Sequence, residues 1–329
     1  MLPALAWFLG LSLVVIAAGT LLSYAADALA ARTGLGRLAV GIIMLGVATS
    51  LPEIVVDISA VRLGALDLAV GDIMGSCTMN MLILAAMDLL HHLRHQATMM
   101  PGFVLGQARV ATLAIVLTGI AGASIIAREP FSLGTIGIGP LLIGIIYVME
   151  MYAGARRGDS AIIEDEVITG PIKSLKAGII AFAIGALAIG LAGPMLASTA
   201  GQLAKLTGLG QTFFGSVFLA LVTSLPELAA SLAALKMRAF DLVIGNLFGS
   251  NAINVAALLL FDAADGGGSL LSHVDPRHAL TALTTIILMG LALQIMMIRQ
   301  LRRTWFFEPA ALVLLMAGLF SILLMYLAP

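Results

Sequence analysis

Charged residues are scarce in this chain. Asp, Glu, Lys and Arg together make 11% of its 329 residues, under half the share of an ordinary soluble protein. Aromatic residues make only 6%, and the single cysteine, Cys77, excludes an intrachain disulfide and leaves the redox compartment unread. No polar stretch is long enough to encode a soluble domain. Met1-Leu2-Pro3-Ala4-Leu5 lacks the basic region of a cleavable signal peptide, so the apolar run that follows reads as an uncleaved first helix. Hydrocarbon fills the rest: 60% of residues are hydrophobic and the mean hydropathy is +1.09. Runs of about 20 apolar residues, the length that crosses a bilayer, occupy nearly the whole sequence. The chain is an all-α polytopic membrane protein by composition. Its net charge of −1 says little, because in membranes the distribution of charge matters more than its sum.

Ten apolar segments are expected, at 5–30, 37–61, 68–90, 103–127, 131–152, 175–200, 211–235, 242–261, 279–299 and 306–327. The most polar connection lies between Ala155 and Lys173 and divides them into two sets of five. The expected organisation is therefore a first repeat at 1–152, a cytoplasmic loop at 153–174 and a second repeat at 175–329. The halves repeat each other at a constant offset of 174. It relates Glu53 to Glu227, Thr33-Gly34-Leu35-Gly36 to Thr207-Gly208-Leu209-Gly210, Asp67-Leu68 to Asp241-Leu242, and Gly71 to Gly245. It also relates Gly75-Ser76 to Gly249-Ser250, Asn80 to Asn254 and Asp88 to Asp262, with no gap. Five helices per half is an odd number, so the second half enters the membrane from the opposite side and the repeats are inverted. With the N-terminus outside, thirteen of the 17 basic residues fall on the cytoplasmic side: Arg32, Arg37, Arg94, Arg109, Arg156, Arg157, Lys173, Lys176, Lys236, Arg238, Arg299, Arg302 and Arg303. Arg62, Arg128, Lys205 and Arg277 fall outside. That bias orients both termini outside.

Two short stretches interrupt the apolar runs in the same way. Ala48-Thr49-Ser50-Leu51-Pro52-Glu53 and Val222-Thr223-Ser224-Leu225-Pro226-Glu227 share five of six residues. Each proline removes a backbone N–H and frees a carbonyl one turn earlier, at Ala48 in the first copy. Each carboxylate is costly in hydrocarbon unless it finds partners or a polar cavity. Placed symmetrically in inverted repeats, Glu53 and Glu227 converge on one point near the midplane, where carboxylate oxygens can replace the water around a hard cation. Ser76 with Asn80, and Ser250 with Asn254, are four apart and share a helix face, each side chain adding a neutral oxygen. Thr49, Ser50, Thr223 and Ser224 bring the supply to what calcium requires. Apart from nearby Cys77 the ligands are all hard, which disfavours a transition metal.

These motifs resemble those of the sodium/calcium exchangers of the cation/calcium exchanger superfamily. The signature is Gly-Thr-Ser-(Leu/Val/Ala)-Pro-(Glu/Asp), followed some twenty residues on by Gly-Ser-x-x-x-Asn or Asp, and it occurs in both halves. The resemblance implies ten transmembrane helices in two inverted five-helix repeats, and exchange of Ca²⁺ for Na⁺ by alternating access. It implies Glu53, Asn80, Glu227 and Asn254 as calcium ligands. Thr49, Ser50, Ser76, Thr223, Ser224 and Ser250 would serve sodium, with backbone carbonyls near Gly46 and Ala220. The first and sixth helices, rich in small residues, would be the moving pair. The absence of a long cytosolic insert matches the compact prokaryotic type. Ala48 and Val222 depart from the glycine that opens each signature, and Gly71-Asp72 departs from the usual Gly-Asn kept at Gly245-Asn246.

Other readings stay open at this point. The same carboxylates suit a calcium/proton antiporter or a carrier of another divalent cation. A passive cation channel and an intramembrane enzyme are alternatives of other classes, but no nucleophile is paired with a base and no zinc motif lies in a helix core. No catalytic residue, cofactor or nucleic-acid partner is expected; the partners are inorganic cations and lipid. Asp57, whose repeat mate is Ser231, is either wetted by the outer vestibule or an added charge on the ion path. Asp72, near the start of its helix, carries the same two readings. His91, His92 and His95 are expected at a solvated cytoplasmic helix end, with a pH sensor or weak metal site as the sharper reading. Glu164-Asp165-Glu166 reads as a solvated loop, and the methionines as packing filler.

Overall fold

The computed structural model describes residues 2–34, 36–95, 99, 105–157, 171–207, 219–297 and 309–327. Glu164–Glu166, Gly208–Gly210, Arg299, Arg302 and Arg303 lie outside the described residues, as do the side chains of Arg156, Arg157 and Lys205.

Each of the ten expected segments contains helix among its described residues. In order they are α1 (Leu2–Thr33); a broken span of α2 (Gly36–Val40), a π-helical turn (Gly41–Leu45), α3 (Gly46–Thr49) and α4 (Leu51–Arg62); then α5 (Leu66–His95), α6 (Leu105–Ala127) and α7 (Ile138–Arg157). The second half holds α8 (Leu175–Thr207), α9 (Ala220–Thr223), α10 (Leu225–Lys236), α11 (Phe240–Ala256), α12 (Leu258–Asp265), α13 (Arg277–Met297) and α14 (Pro309–Leu327). The 174-residue offset holds to the residue at the break: Gly46–Thr49 maps on Ala220–Thr223, and Leu51–Arg62 on Leu225–Lys236. Among the described residues six helical stretches, α11 with α12 counted as one, are long and apolar enough to cross a membrane, and the pair Arg37–Thr49 with Leu51–Arg62, bent by 43°, makes a seventh if taken as one span.

The bend has a local cause. Ser50 (φ −81°, ψ −1°) and Ser224 (φ −83°, ψ 7°) sit at the junctions in nearly the same backbone conformation. Pro52 and Pro226 follow in the first turn of the outgoing segments, where their missing N–H is tolerated. The backbone still closes around each break: Ser50 N–H donates to the Gly46 carbonyl and Ser224 N–H to that of Ala220, both at 3.1 Å.

The two broken spans, α5 and α11 form the centre, with α1 and α8 packed together on one side and α6, α13 and α14 on the other. Close approach at the centre requires glycine. A β-carbon on Gly46 would stand 3.0 Å from the Gly249 carbonyl carbon, and one on Gly249 would stand 2.8 Å from Ile42 Cα. The outer pair repeats the device. A β-carbon on Gly19 of α1 would meet the Pro226 carbonyl at 2.9 Å, and one on Gly193 of α8 would collide with the Pro52 ring. Positions 19 and 193 are also 174 apart, so each outer helix sets a glycine against the proline of the opposite repeat. Val222, in the place of a signature glycine, joins Leu11 and Val15 of α1 and Ala192, Leu196 and Ala200 of α8 in a small apolar cluster.

Loop ties also follow the repeat. Asp88 accepts the Met99 N–H at 2.7 Å, and its mate Asp262 accepts the N–H groups of Leu270 and Gly137. Three details differ from the sequence expectation. The fifth segment does not start as helix at 131: Ser132–Leu133 and Ile136–Gly137 pair as a short antiparallel hairpin, turned at Gly134 with φ +68°. The eighth segment breaks at Ala257 into α11 and α12. His91 and His92 are buried, not solvated: His91 stacks on His95 at 4.5 Å and meets Phe240 edge-on at 4.9 Å.

The glycine contact gives a direct test. Gly193→Val forces a branched side chain into the Pro52 ring, an overpacking that costs about 1–3 kcal/mol. At Gly190, a new β-carbon would find its nearest neighbour, Leu51, only at 4.0 Å. The thermal midpoint of the purified protein should fall clearly for Gly193→Val and stay near wild type for Gly190→Val. Equal midpoints would remove the contact from the packing scheme.

Candidate functional site

Every site residue expected from the sequence is buried in the centre. Glu53, Glu227, Asn80, Asn254, Thr49, Ser50, Ser76, Ser250, Asp57 and Asp72 are 0% exposed, and Thr223 and Ser224 are 2% exposed. The two glutamates occupy the third position of α4 and α10, just beyond the breaks. Ser76 and Asn80 lie on α5, and Ser250 and Asn254 on α11.

Hydroxyl pairs join the repeats. Thr49 Oγ1 and Ser250 Oγ are 3.2 Å apart, and their mates Thr223 Oγ1 and Ser76 Oγ are 3.5 Å apart. Thr49 also donates toward the carbonyls of Leu45 at 3.0 Å and Gly46 at 3.3 Å, while Thr223 does the same to Leu219 at 3.0 Å and Ala220 at 3.3 Å. The carbonyls expected near Gly46 and Ala220 are thus at the site, already engaged by the threonines. Ser50 and Ser250 each donate to Glu227 Oε1 at 3.3 Å. The symmetry stops there: Glu53 receives no such bond, and the Ser224 hydroxyl is unpartnered.

The remaining acceptors carry the chemistry. Both carboxylate oxygens of Glu53, Oε2 of Glu227 and the amide oxygens of Asn80 and Asn254 are buried with no hydrogen-bond partner. Buried polar atoms without partners are rare in folded proteins and call for an unseen water or ion. Apart from the Asn254 amide nitrogen they are all oxygens, two of the side chains are carboxylates, and among the described residues no arginine, lysine or histidine pairs with them. The set suits a hard cation in a dry site.

Two residues were passed over in choosing site residues from the sequence. Asn251 takes a hydrogen bond from Asn80 Nδ2 at 2.9 Å, and its own amide donates to the Cys77 carbonyl at 3.3 Å. Positions 77 and 251 are 174 apart, so this contact lies on the pseudo-twofold axis. Asn246 accepts the Thr49 hydroxyl at 3.1 Å and donates to Ser231 at 3.2 Å. Its repeat mate is Asp72, which accepts the Thr223 hydroxyl at 3.4 Å. The offset itself was the signal that places Asn246 at the site.

Both acids with doubtful positions are interior. Asp57 is not wetted by a vestibule, and Asp72 lies in the second turn of α5 against Thr223; each is 0% exposed. The histidines do not form a metal site, since among the described residues no three His, Cys, Asp or Glu side chains converge on one point.

A family model described as sodium/calcium exchanger protein matches residues 3–149 and 177–327, nearly the whole chain and in two parts. The chain belongs to the sodium/calcium exchanger family. It is a membrane transporter of inorganic cations, not an enzyme. The sodium-calcium exchanger NCX_Mj superposes with a TM-score of 0.74 at 19% identity, covering 98% of both chains, and its fold is ten transmembrane helices in inverted repeats. The inner membrane protein YrbG of Escherichia coli is 27% identical over 76% of each chain. The putative antiporter CaxA of Alkalimonas amylolytica is 25% identical over 82% of this chain and 84% of its own. The sodium/calcium exchanger MaX1 of Methanosarcina acetivorans is 41% identical over 61 residues, 18% of this chain. This exchanger-family transporter therefore has the fold that its repeats implied.

Asn246 offers a test of the site's internal order. Asn246→Ala removes the donor to the buried Ser231 hydroxyl, at about 1–3 kcal/mol for a buried group left unsatisfied, and also one of several partners of the Thr49 hydroxyl. The purified variant should unfold at a lower temperature than wild type, and further below it than Ser231→Ala, which removes one contact only. The reverse order would show that Asn246 does not organise the hydroxyls.

Proposed function

We propose that the chain is a secondary antiporter that exchanges Ca²⁺ for Na⁺ through one central site. Glu53, Asn80, Glu227 and Asn254 bind calcium. Thr49, Ser50, Ser76, Thr223, Ser224 and Ser250, with the carbonyls of Gly46 and Ala220, serve sodium. The observation that supports this most is the set of unpartnered oxygens around two buried carboxylates that pair with no basic side chain among the described residues. Two negative charges neutralise one calcium ion or two sodium ions, but not both loads together. Competition for the same charges couples the fluxes.

Alternating access follows from α1 and α8 sliding over the fixed centre. Each packs against the proline of a break through a glycine, Gly19 on Pro226 and Gly193 on Pro52, so the moving and fixed parts meet there at backbone distance. The repeats at 1–152 and 175–329 are joined by a cytoplasmic segment at 153–174, and both termini lie outside in a prokaryotic cytoplasmic membrane. Support for this orientation is the thirteen-to-four bias of basic residues. A cysteine introduced as Ser160→Cys should therefore react with a membrane-impermeant maleimide only after cells are opened; labelling of intact cells would invert the topology.

The function is tested by calcium-isotope uptake into proteoliposomes loaded with sodium and diluted into sodium-free buffer. Uptake should follow the sodium gradient and be abolished in Glu53→Gln and Glu227→Gln. Uptake driven by an acid interior but not by sodium would make the chain a calcium/proton antiporter. Failure of both gradients would assign the scaffold to another ion.

A further inference from the structure

Two departures from the internal repeat touch each other. Position 57 corresponds to 231 and position 72 to 246. In the second repeat these are Ser231 and Asn246, a neutral pair hydrogen-bonded at 3.2 Å. In the first repeat they are Asp57 and Asp72, carried on the packed helices α4 and α5 and within electrostatic reach of each other. Both oxygens of Asp57 and Oδ2 of Asp72 are buried with no hydrogen-bond partner; Oδ1 of Asp72 receives the Thr223 hydroxyl at 3.4 Å. No basic side chain pairs with either acid among the described residues. Where one repeat holds a neutral hydrogen-bonded pair, the other holds two fully buried carboxyls with three unpartnered acceptor oxygens.

We propose that Asp57 and Asp72 form a second hard-cation site beside the central one, with Thr223 as the wall between them. Two carboxylates balance one divalent ion or two monovalent ions, and their oxygens are the ligands that calcium and sodium prefer. The pair is not an extension of the glutamate pair, because no three acidic side chains converge on one point among the described residues. Glu53 nonetheless lies within electrostatic reach of both aspartates. A cation held there offsets their repulsion of the charge on Glu53. The proposal rests on the exchanger reading only for where the central site lies.

The test counts ions. Equilibrium binding of radioactive calcium, and separately of radioactive sodium, is measured on the purified full chain for wild type, Glu53→Gln/Glu227→Gln and Asp57→Ser/Asp72→Asn. The last variant installs the neutral pair that the second repeat already carries. Wild type should bind more than the one calcium ion or two sodium ions that the glutamate pair alone balances. The aspartate variant should lose the ions of one site and keep those that depend on the glutamates. Loss of calcium identifies a divalent site, and loss of sodium alone a monovalent one. An unchanged ion count in both isotopes overturns the proposal, including the case in which the pair merely shares a proton. Unchanged binding in the glutamate variant would instead overturn the central site. If the double aspartate variant shows no cooperative unfolding, Asp57→Asn decides by the same count.

Discussion

A carboxylate inside a bilayer without a basic partner is the constraint on which this molecule turns. The full cost of such a charge is several kcal/mol or more, and proteins meet it by pairing, protonation or metal coordination. Arg37 pairs with Asp27 and Arg109 with Glu150, but these pairs lie away from the breaks. At the centre the chain supplies acids, amides and hydroxyls and leaves the positive charge to come from outside. On the proposed reading, what the fold leaves unsatisfied in its interior its cargo satisfies. A site that is incomplete when empty binds well for the same reason that it is unstable when dry.

That constraint explains the geometry around it. An unbroken helix presents side chains to its surroundings but keeps its carbonyls to itself, whereas the breaks at Ser50 and Ser224 bring both kinds of oxygen to one place. Bringing two broken helices together across a twofold axis then demands small residues. Gly41 and Gly46 meet Gly245 and Gly249 almost backbone to backbone. The outer helices meet the breaks through Gly19 and Gly193 in the same manner. Polar side chains tie the axis itself, where Asn251 bridges to Asn80 and to the Cys77 carbonyl. Small residues set the distances and hydrogen bonds set the register.

Most of this was legible in the amino-acid order because the duplication supplies an internal alignment. Glu53 with Glu227, and the glycines and serines around them, announced both the broken helices and their meeting. What stayed illegible depended on contacts between positions that no period connects. Asp57 stood between a wetted helix end and a place on the ion path, because its distance along the helix pointed to the membrane edge, and packing by neighbouring segments buries it. His91 and His92 read as solvated for the same reason, but α11 begins beside them and Phe240 covers His91. The hairpin before α7 is made by Gly134 and by the hydrogen bond from Gly137 to Asp262 in the other repeat, which hydropathy cannot register. The unequal treatment of the two glutamates was also invisible, since identical motifs around them give no sign of which one gathers the serines.

The inequality of the two halves has an energetic consequence. In a carrier built from two identical inverted halves, exchanging their conformations would turn the form open to one side into the form open to the other, at no difference in intrinsic energy. The unloaded molecule would then rest evenly between them. Here Thr223 meets the carboxylate of Asp72, while Thr49 meets the amide of Asn246, which also holds Ser231, so the two forms would place different groups around equivalent threonines. Each difference of about 1.4 kcal/mol shifts the resting ratio tenfold. A pair of substitutions at the centre is thereby enough to give a symmetric scaffold a preferred direction of readiness.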